Sequence, residues 1–198
     1  IYTGNHLTTS TTSLTITATS GAVSNCQFYS NTINTAYIGI GLYGYNAASP
    51  YTFYDQNNDV GVAGGNTINN FGGSTTTAYG IYAIYQNDLE IENNSVVGGS
   101  HGTFLHTSTL YGIFLSTGVN SNADIHNNTI TLTSNATTSQ MSAISNAMGG
   151  TGTTNTINIT NNTVQNCVWN TVTTGNAYLI YHTSSAYNVN ITGNTVTN

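Results

Sequence analysis

At six positions about one period apart an asparagine stands before a Thr/Ser-Val/Ile pair: Asn31, Asn66, Asn94, Asn128, Asn162 and Asn194, at spacings of 35, 28, 34, 34 and 32 residues. Self-similarity at a period of about 20 to 50 residues marks a stacked architecture, in which no unit buries its apolar face alone. The fullest copies read IENNSV (91–96), IHNNTI (125–130), ITNNTV (159–164) and ITGNTV (191–196). Five and three residues before the aligned asparagine lie Cys26 and Phe28, Leu89 and Ile91, Ala123 and Ile125, Ile157 and Ile159, and Val189 and Ile191, with polar residues between. That period of two predicts a strand with one buried face. Immediately before the asparagine stand Ser30, Gly65, Asn93, Asn127, Asn161 and Gly193. Gly and Asn exchange where a backbone needs positive φ, so a left-handed bend is expected there. Stacked on its own copy at every turn, the aligned asparagine can pass amide hydrogen bonds along a column and satisfy a polar group inside the fold. The second copy, DVGVAGGNTI, carries one extra residue before its bend, which predicts a bulge.

A further strand recurs as LYGY (42–45), AYGI (78–81), LYGI (110–113), MSAI (141–144) and AYLI (177–180). It predicts an aromatic column of Tyr43, Tyr79, Tyr111 and Tyr178, interrupted by Ser142, with small residues at 44, 80, 112 and 143 leaving room beside it. The segments between are rich in Gly, Ser, Thr and Asn and read as loops, and no window has helical periodicity with caps. An antiparallel sandwich would want Asn-Gly or Asp-Gly hairpin turns, and neither dipeptide occurs. The pattern therefore predicts an all-β chain, a solenoid of about six coils with an asparagine ladder; at about 4.8 Å per coil it spans roughly 25 to 30 Å. The texture is even from end to end, so residues 1–198 are expected to form a single domain.

Composition narrows the function classes. The chain has no Lys or Arg and only six acidic residues. Nucleic-acid binding needs cationic side chains to displace counterions, and binding to anionic lipid needs them too, so neither partner is expected. No apolar run reaches membrane-span length, and the chain opens at Ile1 without Met or a basic leader, as in a mature chain or an excised piece. Fourteen tyrosines and 38% hydrophobic residues argue against disorder.

The I-x-N-N-T-I/V unit resembles the right-handed parallel β-helix repeat of bacterial secreted and cell-surface proteins and of pectin-degrading enzymes, over residues from about 22 to 198. The resemblance implies a single-stranded right-handed parallel β-helix. It leaves the function open, because this scaffold carries lyases, hydrolases, tailspikes and adhesin stalks. Gly99-Ser100-His101-Gly102 is similar to the Gly-His-Gly element of polygalacturonases, but the paired aspartates and the Arg-Ile-Lys set are missing, and the basic residue of pectate lyases is missing as well. No catalytic role passes to His101, which reads as a loop histidine.

Stacking the copies gathers chemistry on one face. The column four residues before the ladder asparagine reads Gln27, Glu90, Asp124, Asn158, Asn190, and the column two before it reads Tyr29, Glu92, His126, Thr160, Thr192. Glu90, Glu92, Asp124 and His126 thus form a patch whose carboxylates repel, with no Lys or Arg to offset them. A cation with oxygen preference would relieve this, which makes Glu90, Glu92 and Asp124 candidate calcium ligands. The alternative is a solvated surface. Ice binding would need two regular threonine columns. One is present (Thr32, Thr67, Ser95, Thr129, Thr163, Thr195), whereas its neighbour (Asn34, Asn69, Val97, Thr131, Gln165, Thr197) is mixed. Cys26 and Cys167 fall about four coils, roughly 19 Å, apart and should not bridge. Trp169 reads as packing, with sugar stacking the alternative, and the sequons at Asn93, Asn127 and Asn161 coincide with the bend.

The C-terminus stops in mid-repeat at TGNTVTN, and the N-terminal LTTSTTSLTITATS reads as another strand. Such ends imply either a piece of a longer solenoid or end-to-end self-association. The expectation is a non-enzymatic structural β-helix of an extracellular or cell-surface protein, serving as adhesin, stalk or filament subunit. The alternative is a carbohydrate-active or carbohydrate-binding β-helix, with surface glycans as partners.

Overall fold

A computed structural model describes residues 1–4, 15–101 and 104–197. The chain winds as a parallel β-solenoid with three sheets along its length, each built by stacking one strand per coil. The tyrosine sheet holds Tyr2–Gly4, Ile38–Tyr43, Ala78–Ile84, Leu110–Leu115, Met141–Asn146 and Ala177–His182. The acidic sheet holds Gln27–Phe28, Asp59–Val60, Leu89–Glu92, Ala123–His126, Thr156–Thr160 and Asn188–Thr192. The threonine sheet holds Thr32–Asn34, Thr67–Phe71, Ser95–Gly98, Thr129–Ser134, Thr163–Gln165 and Thr195–Thr197. The six repeat copies bound about five turns. The one helical element among the described residues is a 3₁₀ turn, Thr19–Gly21. Residues 7–14 of the N-terminal LTTSTTSLTITATS stretch lie outside the described residues, and its described end runs into this turn rather than a strand.

Each interior coil drives at least one aliphatic side chain inward from each sheet. Ile40, Ile81, Ile113 and Ile144 stack in one column. Val60, Ile91, Ile125 and Ile159 form a second, and Ile68, Val96, Ile130 and Val164 a third. All are at most 1% exposed, and each contributes about 1.5–3 kcal/mol by burial.

The bend between the acidic and threonine sheets is left-handed in all six copies, with φ of 56° at Ser30, 62° at Gly65, 58° at Asn93, 55° at Asn127, 54° at Asn161 and 67° at Gly193. It aims the next residue into the core, where the asparagines form an unbroken ladder. The Nδ2 groups of Asn31, Asn66, Asn94, Asn128 and Asn162 donate to the Oδ1 of the next asparagine at 2.8, 2.8, 2.9, 3.0 and 3.0 Å. Each of these Oδ1 atoms also accepts the backbone N–H of the preceding asparagine. In Asn66, Asn94, Asn128 and Asn162 the remaining amide hydrogen reaches a carbonyl one coil back, as in Asn128 Nδ2 to Ile91 O at 2.9 Å. The buried amides are therefore saturated, which is the condition for keeping them out of water.

Two sequence expectations shift. Val60 precedes Asn66 by six residues whereas Ile91 precedes Asn94 by three, so the second copy carries three extra residues, not one. They form a turn in which the Gly64 and Gly65 N–H groups donate to Gly61 O at 3.2 and 2.8 Å, rather than a one-residue bulge. In the tyrosine sheet Ile38 pairs with Tyr79 and Ile40 with Ile81, so Tyr43 faces Ile84 and Gly39, not Gly44, shares the column of Gly80 and Gly112. The run IGIGLYG alternates small and large residues and matches that frame at more than one shift, which is why LYGY aligned falsely.

Tyr79 and Tyr111 stack outside at 5.5 Å with planes 4° apart, and the column passes through Ser142 to Tyr178 as expected. A second column, Tyr82, Phe114, Ser145 and Tyr181, runs beside it. Strict alternation hides this column. Gly80, Gly112 and Ala143 are accommodated as an extra inward residue in each strand, so residues three apart share the outer face.

Candidate functional site

The acidic face is assembled by register. Glu90 pairs with Asp124 on one side and Asp59 on the other, and Glu92 pairs with His126. Asp59 escapes the sequence alignment because the three-residue turn displaces it from its ladder asparagine. Of the six acidic residues, five (Asp59, Asp88, Glu90, Glu92 and Asp124) occupy the acidic sheet or the bend that enters it.

The side chains do not spread evenly. His126 Nε2 lies 2.9 Å from Glu90 Oε1 and 3.7 Å from Glu92 Oε2. One ligand atom from each of these three residues falls within 4.8 Å of the other two. Asp124, the third expected ligand, turns away to accept the amide of Asn158. The group the structure brings together is thus Glu90, Glu92 and His126.

Two bend asparagines support that group. Asn93 Nδ2 donates to Glu92 Oε2 at 2.9 Å, and Asn127 Nδ2 lies 3.0 Å from His126 Nδ1. With Nδ1 accepting from Asn127, Nε2–H donates to Glu90 Oε1. Metal ligation through Nε2 needs the other tautomer, with the Asn127 amide turned so that its oxygen accepts Nδ1–H. The donor set of two carboxylates and one imidazole fits a divalent ion after that rotation. An imidazole in the set shifts the preference from calcium, which takes oxygen ligands, toward zinc and its neighbours.

Asp59 is the most perturbed carboxyl of the acidic face, 9% exposed and pushed up to about 6 by burial, with the Glu90 and Glu92 charges adding to the shift. The Val62 N–H, 3.0 Å from its Oδ1, and His126 oppose it. A folded-state value above the ordinary 3.8 makes the contribution of this group to stability full below pH 3.8 and lost as pH rises through 6. Asp59→Asn keeps the acceptor for Val62 and removes the charge. The variant should match the native chain near pH 4 and exceed it by about 1–3 kcal/mol above pH 7. Burial pushes His106 below the usual histidine range, which destabilises both proteins equally on acidification and so cancels in the difference. Melting curves at both pH values that differ by the same amount would exclude the charge of Asp59 as the cause.

The other sequence candidates lie elsewhere. Ser100–His101 pairs antiparallel with Phe104–Leu105 in the connection from the threonine to the tyrosine sheet, and Gly102 and Thr103 lie outside the described residues. The threonine column stacks in register, next to a column that mixes Asn34, Asn69, Val97 and Thr131. Both cysteines are free; Cys167 is buried, whereas Cys26, expected inside, is half-exposed in its terminal coil. The Trp169 ring packs on the core, and its Nε1–H is held by Ala136 O. No protein-family model, curated protein or solved structure matches this chain.

Proposed function

We propose that the chain is a structural β-helix of a secreted or cell-surface protein, a rod segment on which another coil of the same repeat seats at the C-terminal edge. The observation that carries this reading is the state of that edge. Val189, Ile191 and Val196 occupy the core columns of the last coil yet are 38%, 45% and 50% exposed. Asn194 Nδ2 donates to Ile159 O at 2.7 Å and has no onward amide among the described residues, whereas every interior ladder amide has one. An edge with apolar columns and an unfinished donor row matches the underside of a coil with the same spacing. A surface without Lys or Arg also offers no cleavage point to trypsin-like proteases. Appending a second copy of residues 166–197 after residue 197, in register because Thr197 pairs with Gln165, should cover that edge and raise Tm by about 4 °C or more. An unchanged or lower Tm would show that the edge does not accept such a coil.

A second reading attaches to the Glu90, Glu92 and His126 cluster: a divalent ion that braces adjacent coils. Zinc chloride should raise Tm of the native chain by about 2 °C or more and leave Glu92→Gln unmoved, with EDTA reversing the rise. Calcium chloride in place of zinc tests the oxygen-only set that includes Asp124. A Tm indifferent to both ions and to the chelator removes the metal.

A further inference from the structure

The connection from the tyrosine to the acidic sheet is fifteen residues long at 44–58 but four at 85–88 and seven at 116–122. The long loop arches over its neighbours. Tyr54, 1% exposed, sets its ring 5.6 Å from Tyr85 and accepts the Val119 N–H on its hydroxyl at 3.1 Å, across 65 residues of sequence. Beneath the arch is a cavity of about 210 Å³ lined by Tyr51, Tyr54, Gln56, Asn87 and Asn120, with Pro50, Thr52 and Val119 completing the wall.

The wall is fixed before any ligand arrives. Asn122 N–H donates to Asn87 Oδ1 at 2.9 Å, Asn87 Nδ2 to Gln56 Oε1 at 2.9 Å, and Gln56 Nε2 to Tyr54 O at 3.2 Å. Each amide oxygen in that chain keeps a second lone pair. Asn120 Oδ1 accepts the Thr153 N–H, which leaves its Nδ2 as a donor with no partner among the described residues. The Tyr54 hydroxyl, which accepts from Val119, retains its own proton to donate. Tyr51 sits at φ 64° and Asn120 at φ 50°; a left-handed tyrosine is costly, and such strain gathers at binding sites.

We infer that this cavity binds one neutral hexose unit of a glycan, with the Tyr51 ring against the C–H face of the pyranose and the Tyr54, Gln56, Asn87 and Asn120 groups on its hydroxyls. Hydroxyls are donors and acceptors at once, and so is this wall. No ionisable carboxylate or imidazole lines the cavity, so it offers nothing to select a uronate or an amino sugar. An aromatic wall with a few fixed polar groups is the usual composition of a small-ligand site, and the volume suits a single ring. Burial raises the Tyr54 hydroxyl above its ordinary value, so it remains a donor at every pH of biological interest. The site is separate from the acidic-face cluster and stands or falls independently of the rod reading.

The test uses the full chain and saturation-transfer NMR with methyl β-glucoside, methyl β-galactoside, methyl α-mannoside and, as charged control, sodium galacturonate. At least one neutral glycoside should bind with Kd of about 1 mM, as its few heavy atoms allow. Tyr51→Gly and Asn120→Gly, which relieve rather than create backbone strain, should each weaken that binding about tenfold while the chain still melts in one cooperative transition. Absence of binding by all three neutral probes, equal binding by both variants, or equal binding of galacturonate would overturn the proposal.

Discussion

Asn128→Ala should lower folding stability by about 3–5 kcal/mol, whereas Asn194→Ala should cost under about 1 kcal/mol, although the two residues occupy the same position of the repeat. Asn128 is fully buried, and its side chain serves both neighbouring coils. Its Oδ1 accepts Asn94 Nδ2 at 2.9 Å and Asn94 N–H at 3.0 Å; its Nδ2 donates to Ile91 O, His126 O and Asn162 Oδ1. Alanine strands two donors on Asn94 and the carbonyl of Ile91 where water does not reach. Each such group costs about 1–3 kcal/mol, because it loses its partner without regaining solvent. Asn194 lies at the half-exposed terminus of the ladder, so the groups released there are close to water. Asn94→Ala should resemble Asn128→Ala, and the double substitution should cost less than the sum, since the two share bonds. Denaturant titrations that give Asn128 and Asn194 equal effects would remove cooperative stacking as the source of the buried amides' stability.

The ladder was also the most legible feature of the sequence. Its period is set by chain geometry, and a residue required once per turn recurs whatever the loops do, so all six asparagines and all six positive-φ bends could be placed from the repeat. Legibility failed where local spacing departs from the period. The Val62-Ala63-Gly64 turn displaced Asp59, the most perturbed carboxyl of the acidic face, from the column in which Glu90 and Asp124 were found. The extra inward residue in each tyrosine-sheet strand hid Tyr82 and Phe114, because strict alternation assigns them to the opposite face from Tyr79 and Tyr111. At the candidate site, register predicted which residues are neighbours but not which way they lean. His126 reaches diagonally to Glu90, and Asp124 turns to Asn158, because amide partners one coil away compete for the same carboxylates. The loop cavity had no sequence signal at all: Tyr51, Asn87 and Asn120 come from three different coils, and only the arch of residues 44–58 brings them together.

Gly112→Val should destabilise the fold by about 3 kcal/mol or more, while Ala143→Gly, one coil away in the same column, should cost about 1 kcal/mol. A Cβ on Gly112 would lie 2.5 Å from Ala143 O and 2.7 Å from Ile130 Cγ2. Gly80 has the same problem, 2.6 Å from Gly112 O and 2.5 Å from Val96 Cγ1, so the close approach repeats from coil to coil. Neither neighbour can retreat. The carbonyl belongs to an adjacent strand of the tyrosine sheet, and Ile130 is a fully buried member of the third core column. The displacement must therefore pass outward into the strand that carries Tyr111 and Phe114, whose rings stack at 4.4 Å with planes 12° apart. Loss of stability should then be accompanied by a weaker near-ultraviolet circular dichroism signal from the tyrosine stack in the folded state, below the unfolding transition. If Gly112→Val proved as mild as Ala143→Gly and left that signal intact, the extra inward residue would be a flexible irregularity, and the alignment of the aromatic columns would need another cause.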